Sequence, residues 1–214
     1  MTKSSEINTR KKRKSLPQNR GNLRREKLIL AGKSLLEERC IEDISLANVA
    51  KLAEIPLASS YHFFPNINSL WVEIASVFGT EISQVIFKSF TLDEDDNWQA
   101  IIRICIRRAA ELYRNNRSYQ QLIIGGKTPA YIKLADRRND EVIGRLLIDA
   151  IEDHFVIPDF PDQAQVFFHA VEIADLMFML SVNKHDEITD KMEEEAKRAS
   201  IAYLKCYLGE FLHQ

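Results

Sequence analysis

Residues 45–70 read SLANVAKLAEIPLASSYHFFPNINSL, and the first part of this stretch has the grammar of two short helices joined by a tight turn. Ser45 can cap the first helix, because its hydroxyl accepts from amides that lack an intrahelical partner. Val49, Ala50 and Ala53 then form its buried face. Glu54-Ile55 makes the turn. Pro56 suits the start of the next helix, where a missing amide costs nothing. That helix ends near Phe64-Pro65. Two short helices so joined are a helix-turn-helix, whose second helix enters the DNA major groove.

The residues suit that role. Leu57, Ala58, Ser59 and Ser60 begin the probing helix, and the small ones allow close approach to base edges. Tyr61 and His62 can reach phosphates or bases. Phe64 is expected to pack beneath the motif. Ser45 and Asn66 lie at helix starts, where free amides and the helix dipole attract phosphate. The preceding helix is expected to open at Asn22 as its cap and to carry Leu28, Leu30, Ala31, Leu35 and Leu36 on one stripe.

Upstream lies a strongly basic segment. The net charge of −2 hides +8 over residues 1–27 (ten Lys and Arg against two Glu), leaving −10 for the rest. A basic head on an acidic body implies a polyanion partner at one end only. Residues 1–21 are read as a flexible arm. Lys11, Lys12 and Arg13, with Arg24 and Arg25, can neutralise phosphates or lie in the minor groove.

Downstream the chain reads as helices throughout. With only 7 Gly and 6 Pro in 214 residues, few long helices are favoured over many strands. Helices are expected over 66–89, 97–115, 118–124, from Pro129 to before Pro158, and over 162–183 and 187–212. The stretch 162–183 is apolar round most of its circumference and should be buried on more than one side.

The motif residues resemble the tetracycline-repressor (TetR) family: Val49-Ala50, the turn, Ala58-Ser59, Tyr61-His62-Phe63-Phe64-Pro65 and Leu70, preceded by Leu28, Ala31 and Leu35. The resemblance implies an all-α fold. A helix-turn-helix domain (22–67) precedes a helical effector-binding and dimerisation domain (68–214). It implies a homodimer that binds double-stranded DNA, a repressor released from a palindromic operator by a small lipophilic effector. Pairing of the last two helices about a two-fold axis would use Phe167, Val171, Phe178, Tyr203 and Tyr207. The middle helices, with Trp71, Phe78, Trp98 and Tyr113 among them, would enclose the effector, and helix 66–89 would couple the two sites.

Three positions depart from the family pattern. Glu54 stands where glycine is usual, so the turn geometry is expected to differ. Ile67 replaces a phosphate-contacting lysine, and Leu57 a basic or polar residue. These departures motivate an alternative: a helical dimeric ligand-sensing or protein-interaction module that has lost specific DNA binding.

Other classes find no support. Gly126-Lys127-Thr128 lacks the earlier glycine of a phosphate-binding loop, since position 121 is Gln. The five histidines form no metal-ligand pair, and no nucleophile–base spacing occurs, so neither enzyme, metal nor cofactor is expected. Cys40, Cys105 and Cys206 form no disulfide framework, which fits the reducing cytoplasm. No signal peptide or membrane span is expected: the most apolar stretch, Ala170–Val182, is interrupted by Glu172 and Asp175.

Overall fold

The computed structural model describes residues 16–213. Lys11, Lys12 and Arg13, placed in the basic arm, lie outside the described residues. The elements are α1 (Leu16–Glu38), a 3₁₀ turn at Ile41–Asp43, α2 (Leu46–Leu52), α3 (Leu57–Phe63) and α4 (Ile67–Ile86). Then follow α5 (Trp98–Asn115), α6 (Arg117–Tyr119) running into a π turn at Gln120–Ile124, α7 (Ala130–Glu152), α8 (Gln163–His185) and α9 (Asp190–Leu208). Among the described residues there is no strand.

Helix α1 begins six residues before the expected cap, so Asn22 lies inside it rather than at its start. Residues 18–25 contain no proline, and extending an existing helix needs no new nucleus. Part of the segment read as a flexible arm is thus helical. Leu28, Ala31, Leu35 and Leu36 are buried as expected, but Leu30 is 63% exposed, because at the helical repeat it lies on the side opposite Leu28 and Leu35.

Helices α1–α3 form the head. Their core is Leu28, Leu36, Val49, Ile55 and Phe64, each at most 7% exposed. Helix α4 starts in the head and ends in the body, spanning about 30 Å at 1.5 Å per residue. Trp71, 2% exposed, sits where α4 meets α1, with its ring edge close to Gly32. Trp98 is fully buried at the start of α5, and its indole Nε1 finds no acceptor among the described residues.

In the body, α7 and α8 cross closely at Gly144. An added Cβ there would lie 2.9 Å from the Phe168 backbone nitrogen. Helix α8 then packs on α9, where the Ser200 hydroxyl donates to the Ala170 carbonyl at 3.0 Å. At the start of α9, Arg114 of α5 donates to the Ile188 carbonyl (2.7 Å) and to the carboxylates of Glu193 (2.8 Å) and Asp190 (3.0 Å). That fork and Lys197 give the buried Glu193 two cationic partners, without which its burial would be unfavourable.

Helix α8 runs two residues past the expected 162–183 and is apolar as expected. By length and composition it could cross a membrane, with a mean hydropathy of 1.4 in its best window. Its packing gives another account. Val166, Phe167, Ala170, Ala174 and Phe178 form one buried face, while Leu176 and Leu180 remain 45% and 46% exposed on another.

Candidate functional site

In the head, α2 is opened by a reciprocal cap. The Asn48 amide donates to Ser45 Oγ (3.3 Å), and the Ser45 amide donates to Asn48 Oδ1 (2.9 Å). Helix α2 closes in a Schellman turn: the Ile55 amide donates to the Ala50 carbonyl (3.0 Å) and the Glu54 amide to the Lys51 carbonyl (3.2 Å). This closure needs a left-handed residue, and Glu54 supplies it at φ 56°. The turn therefore keeps the glycine-type geometry that the sequence reading expected to change. Ile55, buried at 7%, anchors the strained residue from the next position.

A left-handed conformation costs a residue with a Cβ about 1–2 kcal/mol. Glycine gives back ~0.4–1 kcal/mol through its freer unfolded chain. Glu54→Gly should therefore raise the free energy of unfolding by about 1 kcal/mol, read as a higher urea midpoint at unchanged slope. An equal gain in Glu54→Ala would show that backbone strain is not its source.

Helix α3 presents Leu57, Ala58, Tyr61 and His62 outward, with Leu57 40% and Tyr61 51% exposed. Ser59 lies at the margin. Ser60 does not belong to this face. It is fully buried, and its hydroxyl donates to the Pro56 carbonyl at 3.3 Å. At the helical repeat, residues 57, 58, 61 and 62 share one side and residue 60 points the other way. Phe64 is buried beneath the motif, as expected.

The other expected contacts divide. Arg24 and Ser45 are exposed. Asn66 is exposed, but its side chain caps α4 by accepting from the Ser69 amide at 2.9 Å. Arg25 pairs with Glu73 of α4 at 2.6 Å and lies 5.6 Å from the centre of the Phe64 ring, so it braces the head against α4. Ile67 packs on the core. Lys51, exposed in the last turn of α2, is a cation of the motif that the sequence reading passed over.

A polar joint ties head to body. Lys33 of α1 reaches both carboxylate oxygens of Glu81 on α4 at 2.8 Å, and the Tyr119 hydroxyl donates to the same carboxylate. Burial and that hydrogen bond hold the Tyr119 phenol well above its ordinary pKa, so it stays a donor. Phe78 stacks on Tyr119 (centroids 3.9 Å apart, planes at 17°) with the Lys33 ammonium 4.9 Å from the centre of its ring. The capping is reciprocal across the joint. Glu37 of α1 accepts from the Arg117 and Ser118 amides (2.9 and 3.0 Å), and Gln121 donates to the Arg39 carbonyl (2.8 Å) and accepts from the Ile41 amide (2.9 Å).

In the body, α4, α5, α7, α8 and α9 line a cavity that is partly open to solvent. Its walls are mainly apolar, with Ile82 and Ile86 from the far end of α4, and Ile102, Ile106, Phe178 and Leu204 facing them. Trp71, Phe78 and Trp98, expected among the enclosing residues, do not line it; Tyr113 does. Helix α4 thus touches the head at Glu73 and the cavity at Ile82.

Phe167 and Phe178, expected at a dimer interface, are 0% and 1% exposed within their own chain. Val171 is partly buried and lines the cavity. Helix α8 is apolar round most of its circumference, so composition does not fix which apolar side chains face inward; the crossing at Gly144 turns Phe167 inward. Its outward apolar side chains are instead Leu176 and Leu180, while α9 leaves Tyr207 40% exposed. Tyr203 is partly buried, with its hydroxyl 3.1 Å from His169 Nδ1.

The family model described as the tetracyclin repressor-like C-terminal domain matches residues 96–207. That is a little over half of the chain, from α5 into α9. A TetR-family transcriptional regulator from Streptomyces coelicolor superposes with a TM-score of 0.68 at 23% identity, covering 86% of this chain and 99% of that one. A second, from Pectobacterium atrosepticum, has a TM-score of 0.66 at 16% identity, with coverages of 90% and 98%. RolR, solved in complex with the ligand resorcinol, has a TM-score of 0.66 at 14% identity, with coverages of 86% and 89%. At these identities the solved structures speak to the fold alone. No curated protein matches the chain.

Proposed function

The chain belongs to the TetR family of transcriptional regulators, and from that premise we propose that it is a homodimeric repressor, released from a palindromic operator by a small effector. The family regulates transcription and does not catalyse reactions. The observation that carries the finer reading is the outward face of α3. Leu57, Ala58, Tyr61 and His62 stand free on a helix whose strained turn is preserved, and whose domain is braced to the body through Arg25–Glu73 and Lys33–Glu81.

Two such helices ~34 Å apart fit successive major grooves, and a two-fold axis supplies them. The exposed Leu176 and Leu180 of α8, with Tyr207 of α9, are the side chains proposed to meet their copies. The effector would occupy the cavity between α5 and α8. Because α4 joins that cavity to the head, an effector that fits better when α4 is displaced shifts the population away from the DNA-binding arrangement.

The test is selection of bound duplexes from a random pool, followed by titration of the winner at several salt concentrations. A palindromic consensus is expected. Tyr61→Ala and His62→Ala should each weaken binding about tenfold, near 1.4 kcal/mol. Deleting residues 1–14 should reduce the slope of log K against log salt by about 0.9 for each phosphate that the arm neutralises. Ser60→Ala should leave sequence preference unchanged, because that side chain faces the core. No enrichment at low salt would favour the module that senses a ligand without binding DNA.

A further inference from the structure

The cavity in the body has four polar side chains in its wall: Cys105, Tyr113, Asp175 and Ser200. Two are already committed. The Ser200 hydroxyl donates to the Ala170 carbonyl, and burial pushes the Cys105 thiol up to about 12, so it stays neutral. That leaves the Tyr113 hydroxyl and the Asp175 carboxyl to meet a ligand.

Asp175 does not stand alone. It also lines an adjoining cleft with Asp136 and Asp140 of α7, and carboxylate oxygens of the three lie within 4.8 Å of one another. Asp136 and Asp140 are only 8% and 6% exposed. Among the described residues no Lys or Arg forms a salt bridge with any of the three. Lys133 Nζ lies 3.5 Å from the Met179 sulfur, and Arg137 Nε lies 3.5 Å from Glu172. Three carboxyl groups crowded beside an apolar cavity, with Lys133 and Arg137 at the cleft but paired with none of them, are an unfavourable arrangement unless protonated or neutralised from outside.

Charge and shape together select the ligand. An anion would be repelled. A neutral lipophile would fill the apolar walls and leave the carboxyl group unanswered. A bare metal ion would answer the carboxyl group and leave the walls empty. We propose that the effector is a lipophilic cation, whose apolar body packs between Ile82, Ile102, Ile106 and Phe178 while its positive centre rests against Asp175. This deepens the reading of the cavity as the effector site and depends on it.

Protons compete with such a ligand. The groups facing Asp175 are Asp136 and Asp140 from α7, Glu172 from its own helix and Tyr113 from α5; Lys133 and Arg137 border the outer cleft. Helices α4 and α9 contribute Ile82, Ile86, Leu204 and the committed Ser200. Burial, and then the neighbouring acids, raise the Asp175 carboxyl well above its ordinary pKa. Below that raised pKa a cation must displace a proton, so affinity should climb with pH by up to ~tenfold per unit.

The experiment is calorimetric titration of the full chain with three probes: benzyltrimethylammonium, its uncharged carbon isostere neopentylbenzene, and Mn²⁺. The quaternary ammonium is charged at every pH, so any pH dependence belongs to the protein. The expected result is a preference for the ammonium over the isostere of about tenfold or more at pH 8, shrinking towards pH 6. Asp175→Asn should bind the two equally while still binding the isostere, which shows that it is folded. Equal or tighter binding of the isostere by the wild type overturns the cationic class and leaves the effector cavity standing. A preference that survives in Asp175→Asn also overturns it. Binding of Mn²⁺ alone, or of no probe, overturns both the cation and the cavity as effector site.

Discussion

Replacing Phe78 by alanine is expected to lower the free energy of unfolding by about 3–5 kcal/mol, the largest effect of any single truncation in the joint. Phe78 is fully buried. One face of its ring stacks on Tyr119, and Lys33 approaches the ring within 4.9 Å. Truncation removes the apolar ring and leaves a cavity at a place where three helices from both ends of the molecule meet, so collapse to fill it is blocked. It also removes the aromatic support of a partly buried ammonium. Chemical denaturation measures the loss; a change below about 1 kcal/mol would mean that the stack contributes little. Phe78→Leu, which keeps most of the volume, separates stability from signalling. It should remain folded and bind DNA, with a smaller drop in DNA affinity when the effector is present, because the link from α4 to α6 is loosened.

Gly144→Ala should destabilise by about 1–3 kcal/mol, against the ordinary expectation that alanine favours a helix by ~1 kcal/mol over glycine. The added Cβ would lie 2.9 Å from Phe168 N, 3.1 Å from Phe168 Cα and 3.2 Å from Phe167 C. These are backbone atoms of α8, which cannot rotate aside. The two helices must separate, which disturbs Phe167 and the cavity wall beyond it. Gly79→Ala is the control. The side chain met there is that of Asn139, which can swing away, so that substitution should be close to neutral. Thermal midpoints of the pair decide the matter: equal behaviour would show that the α7–α8 crossing yields more easily than its geometry implies.

Much of the head was legible from local rules. Ser45 caps because of its hydroxyl, and Val49, Ala50 and Ala53 are buried because of helical phase. Phe64 lies underneath because an aromatic residue just past a short amphipathic helix has nowhere else to go. Ser60 is misassigned by size alone: smallness permits close approach to DNA, but it equally permits burial, and helical phase decides. Glu54 looks in the sequence like an obstacle to the turn. The hydrogen bonds of the Schellman closure and buried Ile55 hold it in the left-handed region despite its Cβ.

The body was less legible because its informative contacts cross between helices. Phe167 and Phe178 could not be assigned to an inner or outer face while α8 is apolar round most of its circumference. The acid cluster did leave a trace: Ile132, Asp136, Asp140, Ile143 and Leu147 follow one inward stripe of α7, so two aspartates occupy core positions. Glu172 and Asp175 looked only like interruptions of an apolar run. The joint of Lys33, Glu81 and Tyr119 left none, since nothing local pairs residues so distant in sequence.

Burial of both indoles turns the chain into its own optical instrument. Trp71, wedged at the α1–α4 contact, and Trp98, sealed at the foot of α5 without a hydrogen-bond acceptor among the described residues, should each emit as fluorophores shielded from water. Replacing one by phenylalanine leaves the other as a site-specific probe. A spectral shift confined to Trp71 on adding an effector would then reveal movement at the neck while the distant end stays still.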